Sequence, residues 1–262
     1  MISVIKVGGQ VLDDLTARKQ FLTQFSSIPG QKILVHGGGK IATQLAAQLE
    51  IPTVMIEGRR VTDEKMLDVV TMVYGGLVNK QVVAQLQALG CAAIGITGAD
   101  GAAIRANRRA PEPINYGLVG DVREVHAEFF ALLLNNDYTP IVAPLTLEDS
   151  GGLLNTNADT MASSIAIALS KYGLPTQLFY CFEKPGVLLD ASDDRSVIPK
   201  IDPLYYQKLR QDNLIFAGMI PKMDNAFAAI QAGVGSVWIG SAQDIHRFWT
   251  AQEPVGTLIQ PV

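Results

Sequence analysis

Lys6 lies inside an apolar, β-branched run, Ile2 to Val7, and Gly8 and Gly9 follow it at once. An ammonium in such a strand is costly unless it reaches an anion at the strand's end. The plainer alternative is an edge strand with Lys6 turned to solvent. A glycine pair at that point lets a polyphosphate come close to the backbone. A second glycine turn, Gly37-Gly38-Gly39, stands between a strand and a helix, where free amides and the helix dipole favour an anion. It is no P-loop. Lys40 follows Gly39, but Ile41 occupies the place of the magnesium-binding Ser or Thr. It does fit a dinucleotide fingerprint through Gly37, Gly39 and Ala42, with Glu57 about twenty residues on as a ribose-binding acid. That rival, a hydride-transferring dehydrogenase, leaves Lys6 without a task.

Three further clusters add charge or amide groups. In Glu57-Gly58-Arg59-Arg60-Val61-Thr62 an arginine can grip a carboxylate with both arms, or the segment is a solvated turn. In Asn155-Thr156-Asn157-Ala158-Asp159, two amides and an acid surround a helix start. Ordinary capping by Asn157, with Asp159 as a first-turn acid, accounts for that pattern equally well. In Gly218-Met219-Ile220-Pro221-Lys222, Pro221 suits a first helical turn and puts Lys222 at the positive end of the dipole. A lysine is mildly disfavoured there, which suggests that it serves an anion. Arg105, Arg108 and Arg109, ahead of Pro111 and Pro113, read as a solvated loop.

The elements that must position these groups alternate between short β-branched runs and helical patterns. A β-α-β-α-β opening is expected, with strands at 2–7, 32–35 and 53–56, and it predicts a mostly parallel sheet covered by helices on both faces. A long helix is expected from Thr62, as its cap, to Leu89, with Gly90 as its stop. Its apolar stripe is Met66, Val69, Val70, Val73 and Leu77, and Gly75-Gly76 marks a kink or a close backbone approach. Further strands are expected at 92–96, 139–142, 176–182 and 237–239, and helices at 127–135, 157–170, 203–212 and after Pro221. Gly173 and Pro175 mark a lobe boundary, so that 1–172 and 173–262 form two lobes.

Bulk properties agree with an enzyme of this class. The 262 residues are 48% hydrophobic and 18% charged, enough for a full core. A net charge of −4 and the absence of a basic stripe argue against nucleic acid as a partner. Cys91 and Cys181 are far apart, and the three histidines show no metal-ligand spacing. No apolar run reaches membrane-spanning length and no export signal opens the chain, so a cytoplasmic location is expected.

In this order the segments Lys6-Val7-Gly8-Gly9, His36-Gly37-Gly38-Gly39, Gly58-Arg59-Arg60-Val61-Thr62, Asn155-Thr156-Asn157-Ala158-Asp159 and Gly218-Met219-Ile220-Pro221-Lys222 resemble the acetylglutamate kinase branch of the amino-acid kinase family. The resemblance covers essentially the whole chain. It implies a three-layer α-β-α sandwich, with an N-terminal lobe for acylglutamate and a C-terminal lobe for ATP. The reaction it implies is phosphorylation of the γ-carboxylate of N-acetyl-L-glutamate, the second step of arginine biosynthesis. Lys6 and Lys222 would then stabilise the moving phosphoryl group, and Asp159 would hold both lysines. Gly8, Gly9 and Gly38 would offer amides to phosphate. Arg60 would grip the substrate α-carboxylate, with Gly38, Gly39 and Asn155 completing the pocket. Magnesium would arrive with ATP, held mainly by phosphates and water.

The nucleotide-side residues implied are Glu183, Gly186, Val187, Leu188 and a strand of Leu214, Ile215 and Phe216. Glu183 and Ala217 depart from the residues common in relatives. Arginine-inhibited relatives carry an extra N-terminal helix that builds hexamers. Here the first strand opens at Ile2, so the expectation is a homodimer through the 62–89 helix, insensitive to arginine. N-succinyl-L-glutamate in place of the acetyl compound, the dehydrogenase, and a non-catalytic sensor of amino acid and nucleotide are the alternatives.

Overall fold

The computed structural model describes residues 1–212, 214 and 219–260. Its first strand, β1 (Ile2–Val7), is buried along nearly its whole length, as a strand covered on both faces must be. A short helix α1 (Gly9–Asp13) and α2 (Leu15–Ser27) lead to β2 (Lys32–His36) and α3 (Gly39–Gln48). The expected third sheet strand at 53–56 is not one. Only β3 (Met55–Ile56) forms, and it pairs antiparallel with β4 (Arg59–Arg60) in a separate hairpin. Glu57 and Gly58 both take positive φ, 48° and 74°, the twist that closes a two-residue hairpin.

The long helix is present in three pieces: α4 (Glu64–Val70), a π-helix at Thr71–Val78, and α5 (Asn79–Ala88). Its cap is Asp63, whose carboxylate accepts from the Met66 amide at 2.8 Å. Thr62 is fully buried instead and donates to the Arg60 carbonyl at 3.1 Å. The π segment contains Gly75 and Gly76, and it resets the buried face. The buried line runs Val70, Tyr74, Val78, Val82, Leu86, in steps of four, while Leu77 is 47% exposed. Val82 and Leu86 continue at ordinary α-helical spacing; it is across Thr71–Val78 that the i→i+5 winding leaves Leu77 outside while Tyr74 and Val78 stay covered. Gly75 also allows a close approach, since a methyl there would lie 3.4 Å from Leu145 Cδ1.

Beyond Gly90 come β5 (Ala93–Ile96), β6 (Ile104–Arg108), β7 (Gly120–Val125), α6 (Ala127–Asn135), β8 (Thr139–Val142), β9 (Leu145–Leu147), β10 (Leu153–Asn155) and α7 (Ala158–Lys171). The last stretch holds β11 (Thr176–Phe182), β12 (Lys200–Ile201), α8 (Pro203–Gln211), α9 (Ile220–Gln231), β13 (Ser236–Ser241), α10 (Arg247–Thr250) and β14 (Thr257–Ile259). Eight strands make the main sheet in the order β12-β14-β13-β11-β1-β2-β8-β5. Every pairing within it is parallel except β13 with β14. Strands β10-β9-β6-β7 form a smaller sheet beside it.

The chain winds outward from β1 through β2, then returns to the other side of β1 with β11. Strand order therefore reverses at the carboxyl end of β1, where an open α/β sheet leaves a crevice for ligand. The cores divide by the faces of the main sheet. Val4, Ile33, Val35 and Leu178 pack on one face, and Ile5, Val7, Leu34 and Phe179 on the other. Each core contains residues from both sides of position 172, and β11 pairs directly with β1 from Ile2↔Thr176 to Val7↔Cys181. The described residues include no helix long and apolar enough to cross a membrane.

Candidate active site

At the carboxyl end of β1, Lys6 reaches Asp159 in the first turn of α7. The Nζ–Oδ1 separation is 2.8 Å, an ion pair. Lys222, in the first turn of α9, donates to the other oxygen of Asp159 at 3.2 Å. Asn157 caps α7 by accepting from the Thr160 amide at 3.0 Å, so capping and pairing fall to different residues. Burial alone would raise the Asp159 pKa; the charges of Lys6 and Lys222 outweigh it and hold the carboxyl below its ordinary value. Two cations on one largely covered anion leave a surplus positive charge, which suits an anionic ligand.

The glycine turns that follow β1 and β2 face each other. A methyl on Gly9 would lie 3.4 Å from the Gly38 amide nitrogen, and one on Gly37 would lie 3.2 Å from the Gly9 nitrogen. Gly8 donates its amide to the Cys181 carbonyl at 3.2 Å, so that group is already engaged; Gly9 and Gly39 open α1 and α3. His36, fully buried, sets the second turn. Its Nδ1–H donates to the Gly37 carbonyl at 2.8 Å, and its Nε2 accepts from Asn79 at 3.0 Å. Burial drives the His36 pKa down to about 4, against the hydrogen bond to Gly37, so the ring is neutral.

Beside this point is a cavity of about 180 Å³. Gly38, Gly39, Arg60 and Asn155 line it together. Arg60 is 7% exposed and donates to the Gly39 carbonyl at 2.7 Å and to Thr43 Oγ1 at 2.8 Å. Among the described residues no carboxylate pairs with it, and a buried guanidinium without an acidic partner calls for one from a ligand. Asn155 donates to Thr62 Oγ1 at 2.9 Å, and Thr62 donates in turn to the Arg60 carbonyl, so one hydroxyl fixes both groups.

Two lining residues were missed in the sequence. Arg109 is not in a solvated loop: it lines this cavity, paired with Asp121 and lying over the Tyr116 ring at 5.5 Å. Tyr74 lines it from the π-helix. An aromatic hydroxyl beside two glycines in an apolar helix was the available signal for Tyr74; Arg109 carried none that local pattern could reveal.

The nucleotide-side residues are more scattered. Glu183 is exposed beside a second cavity of about 270 Å³ that Gln10, Ser241 and Gln243 also line. Gly186 and Val187 serve packing. A methyl on Gly186 would lie 2.7 Å from Val197 Cγ1, and Val187 is 1% exposed with its amide given to Thr257 Oγ1. Leu188 bridges to Val197. Leu214 is 45% exposed and donates to the Leu209 carbonyl, extending the end of α8 and not a strand. Ile215, Phe216, Ala217 and Gly218 lie outside the described residues. Glu57 sits exposed in the β3–β4 turn, away from the main sheet, where it cannot act as the ribose-binding acid of a dinucleotide fold.

The amino acid kinase family matches residues 1–241. The chain is 51% identical to an acetylglutamate kinase of Parabacteroides distasonis over 93% of its own length and 95% of that protein. It is 48% identical to one from Cytophaga hutchinsonii, covering 97% and 96% of the two chains. The crystal structure of smu.665 from Streptococcus mutans superposes with a TM-score of 0.79 at 30% identity, over 99% of this chain and 98% of that one. A match spanning nearly the whole molecule, carried by relatives half identical to it, makes the chain a member of the amino acid kinase family.

Proposed function

We propose that the chain transfers the γ-phosphoryl group of ATP to the side-chain carboxylate of N-acetyl-L-glutamate, giving ADP and N-acetyl-L-glutamyl 5-phosphate. This is the acetylglutamate kinase reaction, the second step of arginine biosynthesis. The carrying observation is Asp159, largely covered and shared between Lys6 and Lys222 beside an arginine-lined cavity. The names and identities of the relatives support the same reaction.

The acceptor carboxylate has a reference pKa of about 4.3 and is an ionised nucleophile at neutral pH, so no general base is needed. Catalysis is then a matter of alignment and of charge placed where the phosphoryl group passes. Lys6 and Lys222 supply that charge from two sides, and Asp159 fixes their ammonium groups. Gly9 and Gly38 offer amides to phosphate oxygens, with Gly8 holding the turn. Arg60 takes the α-carboxylate, and Gly39 and Asn155 complete the acylglutamate pocket. In this reading residues 1–172 hold the acylglutamate. Residues 173–262 hold the nucleotide, its base against Glu183, Leu188 and the segment 214–216. Among the described residues no three His, Cys, Asp or Glu side chains gather as metal ligands, and both Asp159 oxygens face lysines. The donor set suits a magnesium ion carried in by ATP on phosphate oxygens and water, where it would neutralise phosphate charge. Exposed Met72, Gly76 and Leu77 on the π-helix offer the face for a homodimer.

A second reading keeps the chemistry and changes the acyl group. Arg109 places a fixed guanidinium on the same cavity as Arg60, and a succinyl group would bring it a carboxylate. The test is hydroxylamine trapping of the acyl phosphate with N-acetyl- and N-succinyl-L-glutamate side by side. Turnover of either supports the kinase, and the ratio of kcat/KM values selects the acyl group. ATP binding without turnover of either contradicts both.

A further inference from the structure

Tyr74 is a polar side chain in an apolar stretch. Its neighbours Val73 and Val78 are fully buried, and Tyr74 is 6% exposed. Its ring lies under the second glycine turn, since a methyl on Gly38 would come within 2.9 Å of Tyr74 Cδ1. Its hydroxyl lies beyond, toward Gly39. A methyl on Gly39 would lie 4.0 Å from the Tyr74 oxygen and 3.9 Å from Arg60 Nη2. Phenol and guanidinium therefore converge on the first residue of α3, on the wall of one cavity.

All three groups at that point are donors: the Arg60 guanidinium, the Gly39 amide at a helix start, and the Tyr74 hydroxyl. Burial pushes the Tyr74 pKa up, against the opposing charge of Arg60, so the hydroxyl keeps its proton at neutral pH. Arg60 faces the Tyr74 oxygen as a donor, and among the described residues the hydroxyl's own proton has no protein acceptor, so it is free to donate into the cavity. Arg60 already donates to the Gly39 carbonyl and Thr43 Oγ1, but it has no anionic partner among the described residues, and a carboxylate can accept from all three groups at once.

We infer that Tyr74 is a substrate-binding residue, its hydroxyl donating to the same α-carboxylate of the N-acylglutamate that Arg60 grips. This rests on the acylglutamate reading of the cavity. The π-helix carries the group on its covered face, where Tyr74 stands four residues from buried Val70 and from buried Val78.

Tyr74→Phe keeps the ring against Gly38 and removes only the hydroxyl. Calorimetric binding of N-acetyl-L-glutamate is expected to weaken about ten-fold or more, with ATP affinity unchanged. N-acetyl-4-aminobutyrate, which lacks the α-carboxylate, is expected to bind the native protein and Tyr74→Phe equally. Equal weakening for both ligands would mark Tyr74 as a packing residue and overturn the inference, as would no weakening for either. Because the readout is binding, it stands apart from turnover. A native protein that binds acylglutamate but makes no acyl phosphate would refute the kinase assignment and leave Tyr74 to be judged by its own result.

Discussion

Asp159 gathers two lysines that the chain supplies from positions 6 and 222. Lys6→Ala is expected to lower kcat/KM at least ~100-fold while ATP still binds, the usual scale for losing one group that stabilises transition-state charge; steady-state kinetics with a separate nucleotide titration checks it. The depressed Asp159 pKa carries a sign. The ionised form is favoured by folding, so its stabilisation is present above the ordinary value of 3.8 and is lost as pH falls through the lower folded value. The stability gap between the native protein and Asp159→Asn, read by chemical denaturation, should therefore be flat near neutrality and shrink only below pH 3.8. His36 acts higher on the scale. It is neutral and buried, so the unfolded chain takes up a proton first as pH falls from 6.5 to about 4. Unfolding free energy should drop by up to about 3 kcal/mol over that range. His36→Gln should flatten the slope.

At the scale of elements, the residues that broke a local rule were the ones legible in the sequence. A lysine inside a strand, a lysine at a helix start and an arginine pair beside a glycine all asked for a partner, and the structure brings these segments to one crevice. The expected stripe is buried at Met66, Val69, Val70 and Val73 and fails only at Leu77, because π-winding leaves no mark in residue periodicity; it shows only in which side chains are covered. Val78→Ala should cost about 1–2 kcal/mol of stability, while Leu77→Ala, on the open side, should cost almost nothing in the isolated protomer. Equal losses in chemical denaturation would contradict the π register. Arg109 was illegible for a different reason. Its place in the cavity depends on Asp121 of β7 and the Tyr116 ring, contacts that no local pattern encodes.

Across the whole molecule, the parallel α/β architecture followed directly from alternating β-branched runs and helical periods. The third strand did not, since Pro52 and the Glu57-Gly58 turn divert that segment into its own hairpin. A lobe boundary was expected at 173 from Gly173 and Pro175; the sheet and both cores run across that position. Division of labour between the halves is thus a proposal about ligands and not about packing. If the π-helix face joins two copies, light scattering should report a dimer for the native chain and a monomer for Leu77→Glu; a native monomer would remove that assembly. The chemistry itself is tested most directly by 31P NMR of the protein with ATP, magnesium and N-acetyl-L-glutamate. An acyl-phosphate resonance should grow in step with ADP. ADP appearing only with inorganic phosphate, or ATP left intact while both ligands bind, would contradict it.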